Sequence, residues 1–245
     1  MHGFACDHTD WQAQTDDLSK SYEVVACDLR GHGATPGRTH ECTIEHLAGD
    51  VLALINNLEL PASILVGHSM GCRVVLEANR IAPERIARLV LVDGSRQGSG
   101  DPAQAEALSR SAILAAGYPV FAENVFRQMF LHWSPQAEAA LARMKRMPAE
   151  TGIALWTNMV RWDATQLEAA LATLRAPLMA IQSTWINAER KRLPLQTGTR
   201  SPWLDLLRSK VPHARIEVIP GGHFTQLEAP ERVNQLISEF AAARQ

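Results

Sequence analysis

Residues 62–73, Ala-Ser-Ile-Leu-Val-Gly-His-Ser-Met-Gly-Cys-Arg, decide the fold. Residues 62–66 form a short apolar run of the kind that becomes a buried strand, and residues 73–80 continue helically until Pro83 stops them. Strand, tight turn and helix are contiguous, and the turn carries Gly67-His68-Ser69-Met70-Gly71. This is a G-x-S-x-G pattern: small residues two before and two after the serine let neighbouring backbone close in, and the cramped turn lifts the hydroxyl to the edge of the sheet. A serine capping a helix is the bland alternative. The strand before it and the helix after it favour a nucleophile.

Outward from that turn, short apolar runs recur at 22–27, 88–92, 177–182 and 214–219, alternating with helical stretches in the rhythm of a parallel sheet. Ile44, Leu47, Val51, Leu54, Ile55 and Leu58 fall at helical spacing, so residues 43–58 are expected to form a crossover helix packed on the sheet. Residues 95–176 break the rhythm, with several helix-like segments and no convincing strand. The expected organisation is a doubly wound, mostly parallel α/β core over 1–94 and 177–245, with a helical cap, 95–176, inserted in it. The cap carries Phe121, Phe126, Met129, Phe130, Trp133, Trp156, Met159 and Trp162. Most of these belong to its own packing; Phe130, Trp133, Trp156 and Trp162 are the candidates for lining a substrate pocket.

The chain has 245 residues, 46% hydrophobic and 20% charged, with a net charge of -2. That is the composition of one globular domain and argues against a nucleic-acid surface. No apolar run approaches the ~20 residues that cross a bilayer, and no basic-then-apolar segment opens the chain, so a cytoplasmic location is expected. Cys6, Cys27, Cys42 and Cys72 lack the spacing of a zinc site or a disulfide framework. The expected partner is a small-molecule substrate.

A serine hydroxyl needs a base to take its proton. Of the nine histidines, His223 is the best placed, following the last apolar run in Pro220-Gly221-Gly222-His223-Phe224. His213 precedes that run, and His68 flanks the serine in a position that usually points away from it. His2-Gly3-Phe4 near the start offers the Phe4 N–H, with the Met70 N–H as second donor, to a tetrahedral oxyanion. Residues 28–33, Asp-Leu-Arg-Gly-His-Gly, read as a polar structural turn.

The His-Gly near the start, the turn at 28–33, the Ser69 elbow and the Gly-His near the end, in this order, resemble the α/β-hydrolase superfamily. The resemblance implies an eight-stranded, mostly parallel sheet, a Ser-His-acid triad and no cofactor or metal. The sequence departs from it twice. Only Met1 precedes the His-Gly turn where the family has opening strands, so an N-terminal segment of about 20 to 25 residues is expected to be missing, the other reading being a truly shortened sheet with one edge exposed. The family's usual acid position after 177–182 holds Ser183, Thr184, Trp185, Ile186 and Asn187 instead. Asp93, which ends the strand after the nucleophile, is the first candidate for the acid, as in some family members; Glu189 is second and Asp205 third.

Serine in the elbow excludes the branches of that superfamily that use an aspartate nucleophile. Hydrolysis of a small, apolar carboxylic ester or lactone through an acyl-enzyme is the expectation. The alternative is a cofactor-independent dioxygenase of a hydroxy-heteroaromatic ring, which resembling proteins run with a histidine and an aspartate at the Asp93 position. Two further readings are a lyase, in which Arg73 resembles an arginine that grips substrate carboxylates, and a ligand receptor on the same fold.

Overall fold

The computed structural model describes residues 1–196 and 198–243. Four parallel strands make the main sheet: β1 (Ser63–His68), β2 (Ile86–Val92), β3 (Leu178–Gln182) and β6 (Arg215–Val218), in the order β1-β2-β3-β6. Between β3 and β6 lies a separate antiparallel hairpin, β4 (Thr184–Ile186) and β5 (Arg192–Pro194). Side chains alternate across the sheet as the strand period requires. On β2, Val90 and Val92 face Trp11, Leu18, Val233, Leu236, Ile237 and Phe240, while Leu89 and Leu91 face the opposite layer. That layer includes helix Ile44–Asn57, which Thr43 caps by accepting a hydrogen bond from His46 N. The helix buries Ile44, Leu47, Val51, Leu52 and Ile55, each contributing roughly 1.5–3 kcal/mol. Helices therefore cover both faces, and the parallel α/β core expected from the sequence is present.

The strand count differs from that expectation. Among the described residues the main sheet has four strands, not eight, and residues 22–27 join no ladder. Val24 and Ala26 pack against one hydrophobic layer and Cys27 against the other, so the segment keeps a strand's two-sided pattern. It lacks a ladder because no strand among the described residues lies beside it, and a ladder needs a partner. Among the described residues only Met1 pairs on the β1 edge, with its ammonium donating to Val66 O (2.6 Å) and its carbonyl accepting from His68 N (3.0 Å).

Between β2 and β3 the chain forms helices Pro102–Ala116, Tyr118–Arg127, Pro135–Lys145, Ala149–Thr165 and Leu167–Ala172, with no strand among them. The register of the sheet then fixes the site. His68 pairs with Val92, and Val92 with Ile181, so Ser69, Asp93 and the residues after β3 leave the sheet side by side at its carboxyl edge, where open α/β sheets bind ligands.

Candidate active site

Ser69 stands between β1 and helix Met70–Ile81 with φ 54° and ψ -111°, a left-handed conformation that costs a non-glycine residue about 1–3 kcal/mol. Three contacts impose it. The Ser69 N–H donates to Val92 O at 3.0 Å. A Cβ on Gly67 would run into the Gly71 carbonyl and lie 2.8 Å from Cys72 N; one on Gly71 would run into Met1 O and lie 2.8 Å from His2 O. The turn is thus wedged between the sheet and the His-Gly segment, as the two glycines in the sequence suggested. Phe4 is buried beside it and meets Trp156 edge to face, with ring centroids 5.2 Å apart. Met70 opens its helix, where backbone N–H groups have no intrahelical acceptor.

Ser69, His223 and Asp93 come together. His223 Nε2 lies 2.8 Å from Ser69 Oγ, and Nδ1 lies 2.6 Å from Asp93 Oδ2. The loop carrying His223 is held from two sides. Its N–H donates to Met129 O (2.6 Å), and its carbonyl meets His68 Nε2 (2.9 Å). His68 therefore turns away from the serine and supports the His223 backbone. Phe130 stacks on Phe224 with centroids 4.5 Å apart, bracing the same loop from the helical segment.

Asp93, itself at φ 46°, is wholly buried and surrounded by donors. Its Oδ1 accepts from the N–H groups of Ser183 and Thr184, both at 2.7 Å. Its Oδ2 accepts from the Thr184 hydroxyl as well as His223, and Arg192 Nη1 stands 3.3 Å away. Burial pushes the carboxyl above the ordinary carboxylate range, while Arg192 and these hydrogen bonds pull it down. Burial holds the His223 imidazole well below the usual histidine range, and the cations of Arg192 and Arg73 add to the effect. The resting imidazole is neutral, so Nε2 is able to accept a proton from Ser69 while Nδ1–H points at Asp93.

Other sequence candidates lie elsewhere. Glu189 is exposed on the turn between β4 and β5. Asp205 sits in the first turn of helix Pro202–Lys210 and pairs with Arg200 and Arg208. His213 is on the surface. Trp162, expected at the pocket, is fully buried and donates its indole N–H to Glu77 at 3.2 Å, so its surface is taken up by packing. Trp133 is 44% exposed and lies under Arg127. Arg73 is not free to grip a substrate: Nε and Nη2 pair with Asp163 at 2.8 and 2.6 Å, Nη2 also reaches Ser95 O, and Nη1 reaches Ser69 O. It anchors helix Met70–Ile81 to helix Ala149–Thr165. The sequence reading missed Ser183, Thr184, Asp163 and Arg192; the first two occupy the very stretch where an acid was sought.

A sequence model of the alpha/beta hydrolase family matches residues 1–236, and the chain belongs to that family. It is 27% identical, over 98% of its own length, to the dihydrolipoyllysine-residue acetyltransferase component of the acetoin cleaving system from Pseudomonas putida, and spans only 62% of that protein. A 3-oxoadipate enol-lactonase from Acinetobacter baylyi is 24% identical over 93% of this chain and 81% of its own. Among solved structures, a thermophilic esterase from Thermogutta terrifontis superposes with a TM-score of 0.79 at 28% identity, covering 98% of this chain and 87% of that one. No helix among the described residues is long and apolar enough to cross a membrane.

Proposed function

We propose that the protein is a serine hydrolase that cleaves a small carboxylic ester or lactone through an acyl-enzyme. The observation that carries this reading is the unbroken chain from Ser69 Oγ to His223 Nε2 (2.8 Å) and from His223 Nδ1 to Asp93 (2.6 Å). In this scheme neutral His223 takes the Ser69 proton as Oγ attacks the carbonyl carbon. The N–H groups of Phe4 and Met70 hold the developing oxyanion, and His223, now an imidazolium steadied by Asp93, returns the proton to the departing alcohol. His223 then takes a proton from the water that attacks the acyl group and returns it to Ser69 Oγ as the acyl–oxygen bond breaks, which releases the acid and restores the serine hydroxyl and the neutral imidazole. Residues 95–176 act as a cap. Phe130 and Trp156, beside Phe224 and Phe4, form its apolar side toward the site, which suits a small apolar acyl or alcohol portion. The relatives named as esterase and enol-lactonase support the same class of reaction.

The test is the intact mass after incubation with a fluorophosphonate, run beside p-nitrophenyl acetate turnover. One adduct, absent in Ser69→Ala, together with ester turnover is the expected result. A folded protein that takes no adduct and cleaves no ester overturns it. If Ser69→Ala stayed fully active on a hydroxy-heteroaromatic substrate with dioxygen, the His223–Asp93 pair would belong to ring cleavage instead.

A further inference from the structure

Arg192 is unusual for a residue on a short surface hairpin. β5 pairs with β4 in the register Ile186↔Arg192 and Thr184↔Pro194, and this turns the arginine inward until its side chain is only 8% exposed. Nη1 donates to Thr184 Oγ1 at 2.6 Å and lies 3.3 Å from Asp93 Oδ2. The same Thr184 hydroxyl donates to that carboxylate oxygen, so arginine, threonine and aspartate form a closed triangle behind His223. A buried cation is costly without a counter-ion, and its counter-ion here is the carboxylate that also meets the base.

We propose that Arg192 is a positioning residue that holds Asp93 as an anion in register with His223 and balances its charge, so that His223 rests unprotonated. This rests on reading Asp93 and His223 as acid and base. With Arg192 present, neutral His223 leaves the buried Arg192–Asp93 pair uncharged overall, whereas a second proton on His223 adds an uncompensated positive charge. The other groups facing His223 do not reverse this. Arg73 is a cation already paired with Asp163, His68 is held neutral by burial, and Glu228 is engaged by Gly222 N at 2.8 Å. Removing the Arg192 cation should therefore let His223 take its proton at higher pH.

The rate of Ser69 labelling by a fluorophosphonate, followed against pH, reads this without knowledge of the natural substrate. In Arg192→Gln or Arg192→Met the acid limb should move up by about one pH unit, slowing labelling roughly tenfold on the acid side. Arg192→Lys, which keeps the charge, should bring the limb back toward the wild-type position. Neutral variants that label more slowly by one factor at every pH, with the limb unmoved, would show a merely structural arginine and overturn the proposal. Titration of the His223 imidazole by NMR in the same variants gives the answer independently. A wild-type protein that takes no probe thus sinks the hydrolase reading, while an unshifted His223 titration sinks this one.

Discussion

The two ends of the His223 imidazole are built on opposite plans. At Nδ1, Asp93 is wholly buried, with two backbone N–H groups, a hydroxyl and a guanidinium trained on it. At Nε2, Ser69 is half-buried and its hydroxyl meets only the imidazole among the described groups. The first end is fixed because a carboxylate that supports a transient imidazolium gains from donors already in place. The second is left open, as the proposed mechanism needs, in which the hydroxyl leaves its partner and meets a substrate. Strain divides the same way: both residues take left-handed backbone, but at Asp93 it serves to surround the side chain and at Ser69 to expose it.

The largest effect should come from breaking the open end. Ser69→Ala removes one hydroxyl and leaves the packing of the elbow alone. Turnover should fall by on the order of 10⁶ with the melting temperature nearly unchanged, read by ester assay and thermal unfolding. Breaking the closed end should cost activity and fold together. Asp93→Asn offers the imidazole an amide N–H, which Nδ1 accepts only in the tautomer that puts the hydrogen on Nε2 and leaves Ser69 without a base, and Arg192 loses its counter-ion. A rate loss on the order of 10⁴ should accompany a loss of about 3 kcal/mol in stability, measured by denaturant unfolding. An Asp93→Asn protein as stable as the parent would mean that the closed end is less tightly held than the geometry indicates.

The open end was more legible in the sequence than the closed one, for a physical reason. An elbow needs a strand, a sharp turn and a helix in one continuous stretch, so Gly67, Ser69 and Gly71 announce it locally. The glycine-rich loop before His223 is legible in the same way. The closed end joins the end of β2 to the stretch after β3, 90 residues further along the chain, and to β5 just beyond it, and no local pattern records their meeting. Ser183 and Thr184 looked like a missing acid; in the fold they are the donors that receive Asp93 from the neighbouring strand. Residues 22–27 keep a strand's pattern but have no strand to pair with among the described residues. Among the aromatics, helical spacing could not separate Trp162, which is spent on packing, from Phe130 and Trp156.

The contrast also has a pH signature. His223 lies below its ordinary value of 6.5 because it is buried beside two cations. Ester turnover should therefore hold steady through neutral pH and fall only as the pH drops through that lowered value. Below pH 6.5 the unfolded chain takes up a proton that folded His223 refuses, so stability should begin to decline at pH 6.5, before turnover does, and stop declining once the pH has passed the lowered folded value. A rate already falling between pH 8 and pH 7 (values in the range where perturbed groups titrate) would mean that His223 is not held neutral. A smaller effect tests how firmly the base is held. A Cβ on Gly222 would lie 2.8 Å from Met129 O, the acceptor of His223 N, and would run into the Glu228 carboxylate. Gly222→Ala should shift the loop, costing about 1–3 kcal/mol and lowering turnover by roughly 10²-fold, the penalty for misplacing a reacting group by about 1 Å. Thermal unfolding and kcat/KM measured together separate the two losses.

The smallest effect belongs to the carboxylates that the site does not use. Asp205 has a side chain 36% exposed, and its partners Arg200 and Arg208 are 83% and 52% exposed. Pairs this wet contribute under about 1 kcal/mol each. Asp205→Asn should move the melting temperature slightly and leave kcat/KM unchanged. Glu189→Gln, on the exposed turn of the hairpin, should do less still. Because Glu189 shares that hairpin with Arg192, the variant also asks whether the closed end depends on the whole β4–β5 element or on the arginine alone. Unchanged kinetics with a normal pH profile would leave the arginine as the working part. A triad-sized loss in either variant, with Asp93→Asn unaffected, would take the acid away from Asp93.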